Sequence, residues 1–111
     1  MDHQVIKRVL KEVVDLILNK EYEVLYAIDP IKRVTPKGLE EAINEYPGIL
    51  TYPPVSAYDD FDAFQINNNS KEILIDFYLW FDNEKSELMI VVKIIEHEDG
   101  IKYALWDIYA P

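Results

Sequence analysis

The sequence predicts an α+β fold, with two N-terminal helices packed on one face of a three- to four-stranded antiparallel β-meander. The first third of the chain carries apolar residues at helical spacing. Residues 72–82, 87–97 and 101–109 instead alternate with period two and are separated by short polar breaks, which is typical of consecutive hairpins. A chain of 111 residues is long enough to bury one core, so we expect a single domain over residues 1–111.

The first predicted helix spans residues 2–19, and Asp2 is suited to cap its N-terminus. The apolar side chains that recur at helical spacing are Val5, Ile6, Val9, Leu10, Val13, Leu16 and Ile17. The following segment, Tyr22–Ile28, fits an extension of this helix, a second short helix or an extended run. Asp29-Pro30 ends that segment, because the residue before a proline avoids the helical region.

The second predicted helix begins at Thr35-Pro36, a hydroxyl N-cap followed by a proline in the first turn. Pro47-Gly48 ends it. Its apolar stripe consists of Leu39, Ala42, Ile43 and Tyr46.

Residues 49–70 connect the helices to the main strands. The prolines at positions 53 and 54 exclude a central strand, so we expect an extended connection across the surface over residues 49–58. Residues 64–66 are predicted to form a short first strand, and the asparagine-rich residues 67–70 a turn.

The central hairpin can be aligned by matching its apolar faces. The predicted core face of residues 73–82 consists of Ile73, Ile75, Phe77, Leu79 and Phe81. Placing Phe81 opposite Leu88 continues this face onto the next strand. The same register places Asp76 opposite Lys93 on the other face, which predicts a cross-strand charge pair.

The last hairpin is aligned by pairing Glu96 with Lys102. The implied pairs are Ile94 with Ala104, Val92 with Trp106 and Ile90 with Ile108. The two registers together define a second face of the sheet, which is apolar and aromatic with a few charges. Its predicted members are Leu74, Tyr78, Trp80, Met89, Val91, Ile95, Tyr103, Leu105 and Tyr109, together with Asp76, Lys93 and Asp107.

Three interpretations of this second face stay open. Residues 20–34 and 49–66 fold over it and bury it, or a homodimer forms through it, or a partner or ligand binds there. A monomer rarely exposes a large apolar patch, and tyrosine and tryptophan are favoured at protein interfaces.

The formal charge of −10 is distributed unevenly along the chain. Residues 39–111 hold four Lys/Arg against fifteen Asp/Glu, a balance of −11. Such a field repels nucleic acid and anionic membranes and attracts basic partners, with solubility alone as the simpler explanation. No apolar run approaches the ~20 residues of a membrane span, and the N-terminus lacks a signal-peptide pattern. Since cysteine is also absent, we expect a cytoplasmic protein.

No motif in the sequence predicts catalysis, a metal site or a cofactor. The two histidines are far apart in the sequence, and the acidic residues at 59–62 lack the spacing and glycine of a calcium loop. Asp76 and Asp107 are the candidate carboxylates for acid–base chemistry, but the predicted pairing with Lys93 gives Asp76 a structural role. We therefore expect the protein not to be an enzyme.

Residues 75–80, which end in Leu-Trp, and the acidic residues after them resemble a small uncharacterised bacterial domain family. The middle segment of the family pattern is represented by Thr35, Pro36, Leu39, Ala42, Ile43, Tyr46 and Gly48. Lys85 departs from this pattern, which has a glycine in the hairpin loop. The layout is similar to cystatin-like and NTF2-like folds, and the size and acidity are similar to those of immunity proteins that neutralise bacterial toxins.

The leading hypothesis is a non-enzymatic acidic binding protein, an immunity protein that neutralises a basic bacterial toxin, such as a nuclease, by direct binding. The predicted partner-binding residues are Asp59, Asp60, Asp62, Asp76, Tyr78, Trp80, Glu84, Glu87, Tyr103 and Asp107. One alternative is an NTF2-like small-molecule-binding or catalytic domain, with Asp76 or Asp107 in a pocket between helices and sheet. The other alternative is a homodimeric structural domain.

Overall fold

The structure, a computed structural model, describes residues 1–111 apart from the side chains of residues 69 and 70. The helices are α1 (His3–Leu18), α2 (Tyr22–Ile28) and α3 (Pro36–Glu45). The strands are β1 (Leu50–Thr51), β2 (Asp62–Ile66), β3 (Asn69–Phe81), β4 (Glu84–His97) and β5 (Gly100–Tyr109), with a 3₁₀ helix at Val55–Asp59. The α+β class and the antiparallel sheet are confirmed. The segment after α1, for which three conformations were open, forms the additional helix α2.

The helix starts follow the predicted capping residues. The Asp2 carboxylate accepts a hydrogen bond from the backbone N–H of Gln4 at 2.8 Å, and the Thr35 hydroxyl accepts one from Gly38 at 3.0 Å. Among the described residues, no helix is both long enough and apolar enough to cross a membrane.

The sheet is built around β3. One edge of β3 pairs with β1 near Phe81 and with β2 over residues 69–76, whereas the other edge pairs with β4. β5 pairs with the far side of β4 and completes the meander. All of these pairs are antiparallel.

The core lies between the helices and one face of the sheet. Buried side chains of α1 and of the odd-numbered positions of β3 form one cluster with Leu88, Ile90, Val92 and Ile94 of β4. Phe77 is almost fully buried there, with 1 % of its surface exposed. The predicted core face of β3 is therefore confirmed.

The register between β3 and β4 differs from the predicted one by two residues. Phe77 pairs with Ile90, and Asp76 pairs with Val91, so the predicted pair of Asp76 with Lys93 was wrong. The hairpin loop is shorter than expected, because Asp82 and Asn83 both adopt positive φ and form a two-residue turn.

A bulge in β4 follows this turn. Tyr78 pairs with Met89 and Trp80 with Lys85, so Leu79 faces three residues of β4. The Ser86 hydroxyl donates a hydrogen bond to the Leu79 carbonyl at 2.6 Å and replaces a ladder bond. The bulge and the short turn together set the register.

A second bulge, at Trp106, divides β5. The predicted pair of Ile90 with Ile108 is confirmed, but Glu96 pairs with Ile101 rather than with Lys102. The other pairs beyond the bulge are Val92 with Leu105, Lys93 with Ala104 and Ile94 with Tyr103. Because a shift of one residue exchanges the two faces of a strand, Tyr103 and Leu105 face the helices, contrary to the prediction.

Two helical parts of the connecting segments lie on the core side of the sheet rather than over its second face. Residues 22–28 belong to the helix layer as α2, and Tyr22 and Leu25 join the core cluster. Residues 55–59 form the 3₁₀ helix, from which Tyr58 stacks on Phe77 with ring centroids 5.5 Å apart. These two parts therefore lie on the core side, whereas Arg33 of the first segment and Tyr52 of the second lie beside Trp106 and Trp80 of the second face.

Residues 29–33 fasten the helix layer to the outer edge of β5. The buried Asp29 carboxylate accepts hydrogen bonds from the backbone N–H groups of Ile31, Lys32 and Leu105 at 2.8, 2.8 and 3.0 Å. Arg33 donates to the Trp106 carbonyl at 3.0 Å and lies over the indole ring. This loop protects part of an otherwise open strand edge.

Candidate functional site

The candidate site is the sheet surface turned away from the helices, which we call the open face. It is formed by Asp62, Phe64, Leu74, Asp76, Tyr78, Trp80, Lys85, Met89, Val91, Lys93, Ile95, Trp106, Asp107 and Tyr109. Met89 and Val91 at its centre are 5 % and 6 % exposed but do not belong to the core cluster under the helices. Larger neighbours on the same face therefore shield them, and the open face has an apolar centre of its own.

Three aspartates lie in one row across this face. Asp62 of β2 pairs with Asp76 of β3, Asp76 pairs with Val91 of β4, and Val91 pairs with Asp107 of β5. Since neighbouring strands are about 4.8 Å apart, the first two carboxyl groups are neighbours and the third is about 10 Å from Asp76. Like charges on directly paired residues destabilise a sheet, so the fold itself does not favour this arrangement.

Asp76 carries an electrostatic cost in this position. Partial burial raises the pKa of its carboxyl group above the ordinary value, and the neighbouring charge of Asp62 raises it further. No ion pair of the described residues involves any of the three aspartates. A carboxylate placed among apolar groups and beside another carboxylate favours a cation supplied from outside.

Aromatic side chains flank the acidic row. Tyr78 and Trp80 of β3 are half-buried, and Phe64 of β2 is 51 % exposed. Beyond Trp80, an open cleft of about 310 Å³ is lined by Tyr52, Pro54, Trp80 and Asn83. The face thus combines carboxylates with aromatic rings, of which the rings are the group enriched at protein interfaces.

Two lysines of the open face differ in how they are held. Lys93 pairs with Glu72 at 3.1 Å, lies 5.0 Å from the centroid of Trp106, and its side chain is 14 % exposed. Lys85 pairs with Asp60 at 2.8 Å, and its side chain is 46 % exposed. Lys93 is a packed part of the sheet, whereas Lys85 reaches over the surface.

The structure brings six of the predicted partner-binding residues to or beside this face: Asp60, Asp62, Asp76, Tyr78, Trp80 and Asp107. Asp60 lies at the rim, where it follows the 3₁₀ helix. The other four predicted residues lie elsewhere: Asp59, Glu84, Glu87 and Tyr103.

Each of these four residues has a local contact or position away from the open face. Asp59 forms an ion pair with Lys7 of α1 at 2.9 Å. Glu84 pairs with Phe81 on the core side of the hairpin, and Glu87 in the bulge donates its backbone N–H to the Tyr46 hydroxyl at 3.0 Å. Tyr103 faces the helices, where burial and the nearby carboxylate of Glu12 raise its pKa.

The sequence reasoning missed the pairing of Asp62 with Asp76 and the position of Lys85. A usable signal existed for the turn, because Asp and Asn are common in two-residue loops whose residues have positive φ. No signal marked the bulge after it. The sequence predicts a short strand at Phe64, but the contribution of Phe64 to the open face depends on the pairing of β2 with β3.

No cluster of three or more potential metal ligands occurs among the described residues. A cleft of about 280 Å³ between α1, α3 and the end of β3 is lined by Ile17, Tyr22, Ile43 and Phe81 among others, and by no carboxylate. Asp76 and Asp107 lie on the opposite side of the sheet. The pocket required by the small-molecule alternative is therefore not formed by these two residues.

A family model of a domain of unknown function, DUF7668, matches residues 14–111. The chain belongs to the DUF7668 family. No curated protein and no solved structure matches it. The expected membership of an uncharacterised domain family is confirmed, and the part that matches the DUF7668 model includes every strand of the open face.

Proposed function

We propose that this DUF7668 protein is a non-enzymatic binding protein that docks a basic protein domain on its open face. The observation that carries the proposal is the row of Asp62, Asp76 and Asp107, which forms no ion pair among the described residues and lies beside apolar side chains. Asp76 is partly buried beside a second carboxylate, which is unfavourable, and an arriving lysine or arginine relieves that cost.

Net charge supports a basic partner over the other classes considered. The chain carries −10, which repels nucleic acid and anionic membranes. In a homodimer through the open face, acidic rows from both copies would approach one another, so like-charge repulsion opposes a second copy as occupant. A basic domain is attracted by the net negative charge during approach and by the acidic row on contact.

The aromatic residues supply the remaining part of such an interface. Tyr78 and Trp80 lie beside the acidic row and present rings that are partly open to solvent. Tyrosine and tryptophan are enriched among the residues that dominate binding energy, because they bury a large area with little loss of side-chain entropy. We expect the carboxylates to govern the association rate and the rings to govern dissociation.

Within this class, the leading candidate partner is a basic toxin domain, such as a nuclease, which the protein neutralises by covering its cationic active surface. What supports this choice is the strong acidity, the size of 111 residues, and the similarity of both features to immunity proteins. The described part of the open face presents an open cleft beside Trp80, a shape that suits a protein surface more than a small molecule.

The test uses the protein encoded next to the gene of this chain. Its isolated C-terminal domain is titrated onto the wild type and onto the double variant Asp62→Asn/Asp76→Asn. The control is Glu40→Gln/Glu41→Gln on α3, which changes the net charge equally on the helix layer. We expect the first variant to associate roughly tenfold more slowly at low salt and the control to stay near the wild type. Equal slowing in both variants, or a neighbouring domain that is acidic or does not bind, refutes the proposal.

A further inference from the structure

Lys85 stands at a particular point of the open face. It follows the two-residue turn at 82–83, precedes the bulge in β4 and pairs with Trp80. Its ammonium group donates to the Asp60 carboxylate at 2.8 Å and lies 4.9 Å from the centroid of the Tyr78 ring. The chain therefore places one of its own cations over an aromatic ring of the proposed interface.

The surroundings of this ammonium group are built for a cation. The pKa of Lys85 is raised mainly by its hydrogen bond with Asp60 and also by the negative charges of Asp60 and Asp62, although burial opposes the shift. A carboxylate at hydrogen-bond distance together with the face of a tyrosine ring is a common combination for binding ammonium and guanidinium groups. Lys85 shows what kind of group this part of the face accepts.

From this geometry we infer that Lys85, in the free protein, occupies the position that a cation of the partner takes in the complex. An arginine of the partner displaces Lys85 from the Tyr78 ring. The inference rests on the proposed function. A guanidinium group fits the position better than an ammonium group, because its planar fork can stack on Tyr78 while it bonds the carboxylates of Asp60 and Asp62. The displaced Lys85 side chain then returns to solvent.

Displacement is inexpensive because Lys85 is weakly held. Its side chain is 46 % exposed and that of Asp60 is 65 % exposed, and ion pairs between exposed groups contribute little to stability. Lys93 on the same face gives the contrast, since its side chain is 14 % exposed and is packed between Glu72 and Trp106. Lys93 is held by the sheet, and only Lys85 of the two is free to move aside.

The inference predicts that removing the charge of Lys85 strengthens the binding of a cationic ligand instead of weakening it. Replacing a lysine in a direct protein contact weakens binding, whereas removing a competing cation strengthens it. Lys85→Met keeps the apolar stem and removes the charge. Lys85→Arg places a guanidinium group there, which stacks on Tyr78 and bonds the Asp60 carboxylate better than lysine does. The expected order of affinity for a cationic ligand is therefore Lys85→Met above wild type above Lys85→Arg.

The probe is a hexa-arginine peptide, titrated at constant low ionic strength while the amide signal of Tyr78 and the indole signal of Trp80 are followed by NMR. We expect Lys85→Met to bind the peptide roughly two- to fivefold more tightly than the wild type. Lys37→Met on α3 removes an equal charge far from the open face and controls for net charge. A hexa-lysine peptide should bind more weakly than hexa-arginine, because an ammonium group cannot stack and bridge together.

The outcomes separate the two proposals. If hexa-arginine shifts no signal of the open face in any variant, the proposed binding face itself is wrong. If the peptide binds there but Lys85→Met is equal to or weaker than the wild type, only the role of Lys85 is refuted. An equal gain in Lys37→Met would assign the effect to net charge and would also overturn the inference.

Discussion

Asp29 offers the most direct test of how the helix layer is fastened to the sheet. Its carboxylate is 2 % exposed and accepts three backbone hydrogen bonds, two within its own loop and one from Leu105 of β5. Asp29→Ala removes all three acceptors at once and leaves the N–H groups of Ile31, Lys32 and Leu105 without them. The Leu105 N–H is buried, so water replaces its partner poorly.

The size of the effect follows from these bonds. A hydrogen bond to a charged group contributes about 1.5–3 kcal/mol, and the two loop donors can recover part of their loss from water. We therefore expect Asp29→Ala to lower the free energy of unfolding by about 3–5 kcal/mol, a large part of the ~5–15 kcal/mol typical of a domain. Asp29→Asn keeps one carbonyl oxygen for the loop but turns an N–H₂ group toward Leu105, so a loss of about 1–3 kcal/mol is expected.

Urea unfolding followed by tryptophan fluorescence measures both losses, and hydrogen exchange at the Leu105 amide locates them. Exchange at Leu105 should accelerate in both variants. Thr35→Ala, which removes a helix cap elsewhere, controls for general destabilisation and should leave the Leu105 amide protected relative to its neighbours. Losses below about 0.5 kcal/mol in both Asp29 variants, or unchanged exchange at Leu105, would refute the reasoning.

Two further predictions concern the pH dependence of stability. The raised pKa of Asp76 means that ionisation is less favourable in the folded than in the unfolded protein, so stability falls as the pH rises past the ordinary carboxyl pKa. Asp76→Asn should therefore be more stable than the wild type at pH 7 and equal to it near pH 3; a gain of the same size at both pH values would contradict this. Burial raises the pKa of Tyr58 to about 12, with smaller contributions from Asp15 and Tyr52. Its stabilising contribution is complete below about pH 10 and is lost between pH 10 and about 12, amounting to about 3 kcal/mol. Tyr58→Phe keeps the stacking on Phe77 and should show a smaller alkaline loss in urea unfolding; an unchanged loss would assign it to other groups.

The acidic row connects stability with the proposed function. Asp62 and Asp76 repel each other across a strand pair and reduce the stability of the free protein. Residues that lower the stability of the fold, with no compensating structural interaction, are typical of binding and catalytic surfaces. Asp76→Asn is thus expected to act in opposite directions, raising the free energy of unfolding at neutral pH while slowing the binding of a basic partner.

Local signals in the sequence determined much of the fold. The helical spacing over residues 2–19, the caps at Asp2 and Thr35 and the period-two alternation of β3 each depend on neighbours only a few residues away. These signals gave the α+β class and the core face of β3. They also placed Asp76, Tyr78 and Trp80 together on the opposite face, because alternation along one strand needs no knowledge of its partners.

Only the tertiary structure decided which residues meet across the sheet. The two-residue turn and the following bulge set the β3–β4 register, which pairs Asp76 with Val91. The pairing of β2 with β3 makes Asp62 the acidic neighbour of Asp76. The bulge at Trp106 moved Tyr103 to the core side, since one extra residue exchanges the faces of everything beyond it. Periodicity does not encode such single-residue insertions, because they depend on how distant strands pack. For this reason the sequence determined which side chains of β3 lie on the candidate site. The pairing of the strands determined which carboxylates lie next to Asp76.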